Sequence, residues 1–343
     1  MAQIYGLDRE PNAEQQRWHV RRRMDDDALS ALARQQHGLD LQQLLKSMGE
    51  QRRRLFLYRA QRSPPQRDEK CLAVANGLLL QGLARAANAF ARSDWKQLAV
   101  ELRDQLLRRL RDGSRLRALD YAKLRGGPGF LDDYAAVLDG VLELLQLHFD
   151  SAGLDWAVEL AEALLSEFEH REQGGFWFTP HGHLDTPHRG KPVFDDATPS
   201  GNALAARALQ LLGCLLAEPR YLLAAERSLR AAWKSLQQAP EGCCALLEVL
   251  EQQLDPSPVL IARFSDVNES ERWRQALALA EQQRYPVFRL PAANGLLPAA
   301  LESKRWLAGG RVYWCQGSRC LPRFDSPVAL SAAISRAARC AAD

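Results

Sequence analysis

The sequence predicts a mainly α protein: inner–outer helical hairpins forming a partial (α/α) toroid, followed by a small α/β unit. Three observations lead there. Apolar residues recur at helical period up to about Leu254. Segments that are apolar around their whole circumference alternate with amphipathic ones. Beyond the Asp255-Pro256-Ser257-Pro258 linker, short apolar runs alternate with helical stretches instead. A helix apolar on all sides must be covered on all sides, and a helix with one wet face lies outside. Repeated inner–outer hairpins therefore build a solenoid or, curving round an axis, a toroid. Their spacing is irregular, so a repeat of fixed period is not supported.

The elements follow in order. Met24 to Gln36 is a short helix with an acidic first turn, which suits the helix dipole. Leu41 to Gln61 is a second helix, stopped by Ser63-Pro64-Pro65. Three hairpins come next. Ala75 to Phe90, Leu131 to Phe149 and Ala203 to Leu216 are the all-round apolar, inner helices. Trp95 to Leu110, Leu154 to Phe168 and Tyr221 to Leu236 are their amphipathic, outer partners. Strands are expected at Pro258 to Phe264, Pro286 to Leu290 and Arg311 to Cys315, with helices at Ser270 to Gln283 and Ser326 to Cys340. The division is residues 1–63 (N-terminal helical segment), 64–255 (toroid hairpins) and 256–343 (α/β unit).

Composition narrows the function classes. Of 343 residues, 46% are hydrophobic and 25% charged, and the net charge is only +3. A nucleic-acid binder working through bulk charge is excluded; the Arg21–Arg23 run is cancelled locally by Asp25–Asp27. The first ten residues lack the apolar core of a secretory signal, and no later run reaches the length of a membrane span. The seven cysteines, odd in number and mostly inside apolar helical patterns, fit reduced thiols in a cytoplasm.

Four polar motifs interrupt the greasy helices. Arg67-Asp68-Glu69-Lys70, with Asn76-Gly77 beyond, stands before the first inner helix and can hold a polar ligand or pair internally. Gly126-Gly127-Pro128-Gly129-Phe130-Leu131-Asp132-Asp133-Tyr134 delivers the chain to the second. One of the two aspartates can cap it, leaving the other to point into a funnel. The long connection from Gly174 to Asn202 is the richest stretch. Gly174 to Thr179 reads as a hairpin strand carrying Trp177, followed by His181, His183 and His188; then come Asp195-Asp196 and the Thr198-Pro199-Ser200-Gly201-Asn202 helix start. His181 and His183 share a strand face, but spacing fixes no third ligand, so no metal or cofactor is expected. Cys315 and Cys320 enclose four residues and read as reduced thiols in a tight turn.

As an ordered set, five segments resemble one family: Pro64 to Lys70 with Asn76-Gly77, Phe130 to Tyr134, Gly174 to Thr179, Asp195 to Asn202, and Val312 to Pro322. They are similar to the C-terminal half of the large thioredoxin-domain proteins related to spermatogenesis-associated protein 20. The resemblance implies a toroid of the six-hairpin glycosidase and N-acylglucosamine 2-epimerase type, and carbohydrate chemistry by analogy of fold alone. Set against that family, the residues given match no part of its thioredoxin domain and are expected to open about halfway round such a toroid. Ala75 stands where the family has Trp, and Asp196 where it has Gly.

Two functional expectations follow. In the first, the inner-helix rim binds or acts on a sugar or sugar phosphate. Asp132, Asp133, Asp196, His181 and His183 are then the acid/base candidates. Asn76, Tyr134, Trp177, Ser200 and Asn202 position the ligand, and Arg67, Asp68 and Lys70 hold its charged or polar groups. In the second, the chain is a non-catalytic interaction module. Either way the half-toroid leaves an apolar flank, to be covered by a homodimer or a partner chain.

Overall fold

A computed structural model describes residues 1–121, 124–182, 188–291, 297–317, 319–320 and 323–340. Two compact units are present, Met1–Asp68 and Glu69–Asp343.

The first unit holds α1 (Ala2–Tyr5), α2 (Asp26–Leu32, continued by a π-turn over Ala33–His37) and α3 (Leu41–Ala60). Asp25 caps α2 by accepting the Ala28 N–H. Asp40 and Gln43 form a reciprocal capping box on α3. Ile4, Leu29, Ala33, Leu44 and Met48 make its small core.

The second unit carries the predicted hairpins. Inner helices α4 (Ala73–Ala89), α6 (Leu131–Leu147) and α8 (Gly201–Leu216) alternate with outer helices α5 (Ser93–Leu110), α7 (Ser151–Ala163, extended by a π-turn to Phe168) and α9 (Pro219–Gln238). Helix α4 packs on α6 and α6 on α8, while each outer helix backs its own inner partner. This is an arc of an (α/α) toroid. Small strand pairs trim it: β1 (Cys71–Leu72), β2 (Arg111–Asp112), β3 (Arg115–Leu116), β4 (Leu119–Tyr121) and β5 (Leu124–Arg125).

Helix α6 is buried on nearly every face, as its composition demands. Glycine makes its contact with α4 possible. A Cβ on Gly77 would lie 2.5 Å from the Ala136 carbonyl carbon, and one on Gly140 would lie 2.5 Å from the Gly77 oxygen. Two backbones touch where side chains would otherwise hold them apart.

Helix α10 (Cys244–Leu254) leads to the C-terminal elements: β6 (Val259–Phe264), α11 (Val267–Gln282), β7 (Val287–Pro291), α12 (Ala299–Glu302), β8 (Arg311–Gln316), β9 (Arg319–Cys320) and α13 (Pro327–Cys340). The sheet order is β7-β6-β8-β9, with β6 and β7 parallel and the other pairs antiparallel. Cys315 and Cys320 are register partners in the β8–β9 hairpin.

Strand β6 is buried on both faces, which explains its unbroken apolar run. Leu260, Ala262 and Phe264 pack with Trp273, Leu277, Leu330 and Ile334 in one core. Val259 and Ile261 join the toroid helices in the other. The sheet therefore lies with one face on α6 and α8, and residues 69–343 form a single packed body.

The open end is at α4. Leu72, Leu79 and Phe90 are exposed there, 39%, 56% and 69%. Among the described residues, no helix is long and apolar enough to cross a membrane.

Candidate functional site

The starts of α4, α6 and α8 meet at one rim, and hydrogen bonds fix the meeting. Asp133, in the first turn of α6, accepts the Phe130 N–H on Oδ2 at 2.9 Å, which caps its own helix. Its Oδ1 accepts the Val74 N–H of α4 at 3.0 Å. Burial pushes the Asp133 carboxyl up to about 6, against the opposing pull of those two N–H groups. Asp132, the neighbour, turns toward α8: a Cβ on Gly201 would lie 2.0 Å from its Oδ1. That oxygen is out of solvent, against the Gly201 backbone N–H. Burial raises the Asp132 pKa as well. Capping thus falls to Asp133, and Asp132 is the less committed carboxylate.

The start of α8 is pinned from both sides. Ser200 caps it, its Oγ accepting the Ala203 N–H at 3.3 Å. Asp195 accepts the Ser200 N–H at 2.9 Å and the Ala245 N–H at 2.8 Å. Sequence reasoning noted Asp195 without giving it this bridging role, because Ala245 lies 50 residues away. Asn202 is almost fully buried and wholly engaged. Its Oδ1 accepts the Phe176 N–H at 2.7 Å, and its Nδ2 donates to Phe176 O at 3.0 Å and Pro192 O at 2.9 Å.

That engagement corrects the strand expected over Gly174–Thr179. Only an isolated bridge forms, Glu169 with Phe176. The Asn202 amide takes the place of a neighbouring strand by meeting both polar groups of Phe176. Gly174 and Gly175 both have positive φ, 74° and 73°, and a Cβ on Gly174 would lie 2.2 Å from the Arg227 oxygen. The segment is a glycine turn held by a side chain.

The remaining candidates scatter. Tyr134 is core: its hydroxyl accepts the Leu116 N–H at 2.8 Å and its ring lies 5.1 Å from that of Phe168. Asn76 donates back to Leu72 O at 2.7 Å. Asp196 is exposed, with its N–H on Thr198 O. His181 is exposed, its Nδ1 3.4 Å from Arg189 Nη1. His183 lies outside the described residues. Arg67, Asp68 and Lys70 are exposed; Arg67 and Asp68 belong to the first unit and Lys70 to the second.

Trp177 sits in an unanticipated group. Its ring lies 4.9 Å from His170, with Lys191 Nζ 4.6 Å and the Arg189 guanidinium 5.1 Å from the ring centroid. Lys191 Nζ also lies 2.6 Å from His170 Nδ1 and donates to Gly174 O at 2.8 Å. Beside it opens a cleft of about 260 Å³ whose walls include Gln173, Lys191, Asn202, Ser228 and Ser235. Partial burial lowers the pKa of both Lys191 and Arg189. Lys191 and Arg189 carried no motif; only their proximity in sequence to the histidines pointed at them.

Deeper between the inner helices runs a charged chain. Gln81 of α4 and Arg207 of α8 both reach Asp139 of α6, with Arg207 Nη2 2.5 Å from Asp139 Oδ2. Arg85 pairs with Glu143 at 3.0 Å. Among the described residues no cluster of three or more His, Cys, Asp or Glu is arranged to hold a metal ion.

Comparison with known proteins puts this architecture in context. No family model matches the chain. Spermatogenesis-associated protein 20 of Rattus norvegicus is 28% identical over 229 residues, covering 63% of this chain and 29% of the relative. The protein of that name from Homo sapiens is 32% identical over 184 residues, covering 50% and 23%. The chain thus spans less than a third of the length of either relative. Among solved structures, a GH76 α-mannanase of Bacteroides thetaiotaomicron superposes with a TM-score of 0.46 at 11% identity, covering 56% of this chain and 55% of that one. Over part of its length, this chain of toroid hairpins and appended sheet is homologous to spermatogenesis-associated protein 20.

Proposed function

We propose that the rim binds a carbohydrate or sugar phosphate in the cleft beside Trp177. One observation carries the reading: Lys191, whose Nζ lies over the Trp177 ring, stands in the wall of a small cleft whose lining also includes Gln173, Asn202, Ser228 and Ser235. The amide and hydroxyl groups of Gln173, Asn202, Ser228 and Ser235 suit the hydroxyls of a sugar. Lys191 suits an attached phosphate or carboxylate. Asn202 contributes as the post that fixes the cleft wall. For any accompanying chemistry Asp132 is the acid/base candidate of the rim, because Asp133 is consumed by two backbone N–H groups. Asp196, His181 and His183 remain reserve candidates on the same connection.

Calorimetric titration with glucose 6-phosphate, galacturonate and neutral hexoses tests this. Saturable binding by an anionic sugar, weakened at least tenfold in Lys191→Met and Trp177→Ala, is the expected result. Heat of binding that is absent with every sugar, or unchanged in both variants, overturns it.

A second reading, an interaction module, is favoured by the uncovered α4 flank with Leu72, Leu79 and Phe90 exposed. It places a second copy of the chain on that flank. Sedimentation equilibrium decides: a dimer abolished by Leu79→Glu supports it, and a monomer at micromolar concentration removes it.

A further inference from the structure

Alternation along β6 sets Arg263 on the same face as Val259 and Ile261, the face packed on the toroid helices. Arg263 is 3% exposed, and its Nε and Nη1 are both out of solvent without a hydrogen-bond partner. A guanidinium in that condition is costly unless an anion meets it. The neighbouring strand does not supply one. Arg311 of β8 lies directly opposite Arg263, and its guanidinium is engaged by Asp325, Nε–Oδ1 2.5 Å and Nη2–Oδ2 3.1 Å. Tyr313, two residues along, shares the face. The Tyr313 hydroxyl donates to Arg305 O at 2.7 Å, drawing in the segment that carries Lys304. Lys304 is 6% exposed, and its Nζ bonds to the Ala300 carbonyl at 3.0 Å. Two cations are therefore withdrawn from water in this part of the fold. Among the described residues neither has a carboxylate partner.

We propose that Arg263 anchors a binding site for an oxyanion, the phosphate or carboxylate group of a small ligand, on the toroid-facing side of the sheet. The planar fork offers two parallel N–H donors to two oxygens of one such group. Seated side-on, such a group meets the orphaned Nε together with Nη2, the pairing that Arg311 makes with Asp325. Tyr313 lines the same face, and its hydroxyl holds the Lys304 segment against the strand. The site is separate from the Trp177 cleft, and neither reading depends on the other.

Thermal unfolding in sodium phosphate, in sodium acetate and in sodium chloride of equal ionic strength tests the proposal on wild type, Arg263→Met and Arg263→Lys. Phosphate should raise the wild-type Tm by roughly 2–4 °C beyond its effect on Arg263→Met. The same excess with acetate assigns the site to carboxylates as well as phosphates; its absence assigns it to phosphates. Arg263→Lys, which keeps charge but loses the fork, should show less than half of the wild-type excess. Broadening of the phosphate ³¹P resonance by wild type and not by Arg263→Met gives a second readout. Equal phosphate shifts in wild type and Arg263→Met overturn the proposal. If Arg263→Met does not fold, equal shifts in wild type and Arg263→Lys overturn it.

Discussion

Asp133, in the first turn of α6, accepts the backbone N–H of Val74 at the start of α4, 3.0 Å away and 59 residues earlier in the chain. One carboxylate caps its own helix and ties it to its neighbour. This bond, with Asp132 lying against Gly201, aligns the leading ends of three inner helices.

Stability should therefore depend on the protonation of Asp133. Its folded pKa of about 6 lies above the unfolded value of roughly 3.9. Between those values the native state binds more protons, so stability falls as pH rises from about 4 to 6. The full effect is ~3 kcal/mol by linkage. Urea unfolding at intervals across that range should show the decline, and Asp133→Asn should flatten it. A wild-type curve that rises through this window contradicts the assignment.

The α4–α6 contact has no room for a methyl group. Gly77→Ala and Gly140→Ala each meet backbone at 2.5 Å. Each should destabilise by about 1–3 kcal/mol despite the better helix propensity of alanine. Chemical denaturation measures it; a neutral or stabilising result means the helices stand farther apart than described.

Asn202 should behave as a structural post before it behaves as a ligand-binding group. Asn202→Ala leaves the Phe176 N–H, the Phe176 carbonyl and the Pro192 carbonyl without this partner. At roughly 1–3 kcal/mol for each unsatisfied buried group, the loss should exceed ~3 kcal/mol. Hydrogen exchange at the Phe176 amide should accelerate correspondingly. Wild-type exchange there in the variant would remove Asn202 from this role.

Asp139 joins α4, α6 and α8 through Gln81 and Arg207. Asp139→Ala leaves the partly buried Arg207 guanidinium with only the exposed Glu248 carboxylate, 3.6 Å away, and should cost about 3 kcal/mol. The double variant Asp139→Leu with Arg207→Leu should recover much of that loss, because both charges leave together. Failure to recover would show that the two positions are not coupled.

The helices were legible because their signal is local. Inner helix α6, expected over Leu131 to Phe149, runs Leu131–Leu147, since its neighbours in space demand apolar surface all round. Strand β6 was legible for the same reason. The rim was legible only as a set of helix starts. Asp133 reaches 59 residues back, Asn202 reaches 26, and Arg207 reaches 68, so no spacing rule connects them. The Gly174–Thr179 segment misled because a run of three aromatics, Phe176-Trp177-Phe178, mimics a strand, while its pairing partner is a side chain. Arg263 was hidden inside an apolar run that reads as core.

The central claim is that the inner helices run parallel with their starts gathered at one rim. The most direct measurement is a spin-label distance between ketone-bearing residues placed at Ala75 and Asp196, both exposed. With two helix spacings of roughly 10 Å between them, the account predicts a distance near 20 Å. If the starts of α4 and α8 lay at opposite ends, the length of a 17-residue helix, about 26 Å, would add along the axis. A distance beyond about 33 Å, which follows from those helix dimensions, would contradict the account.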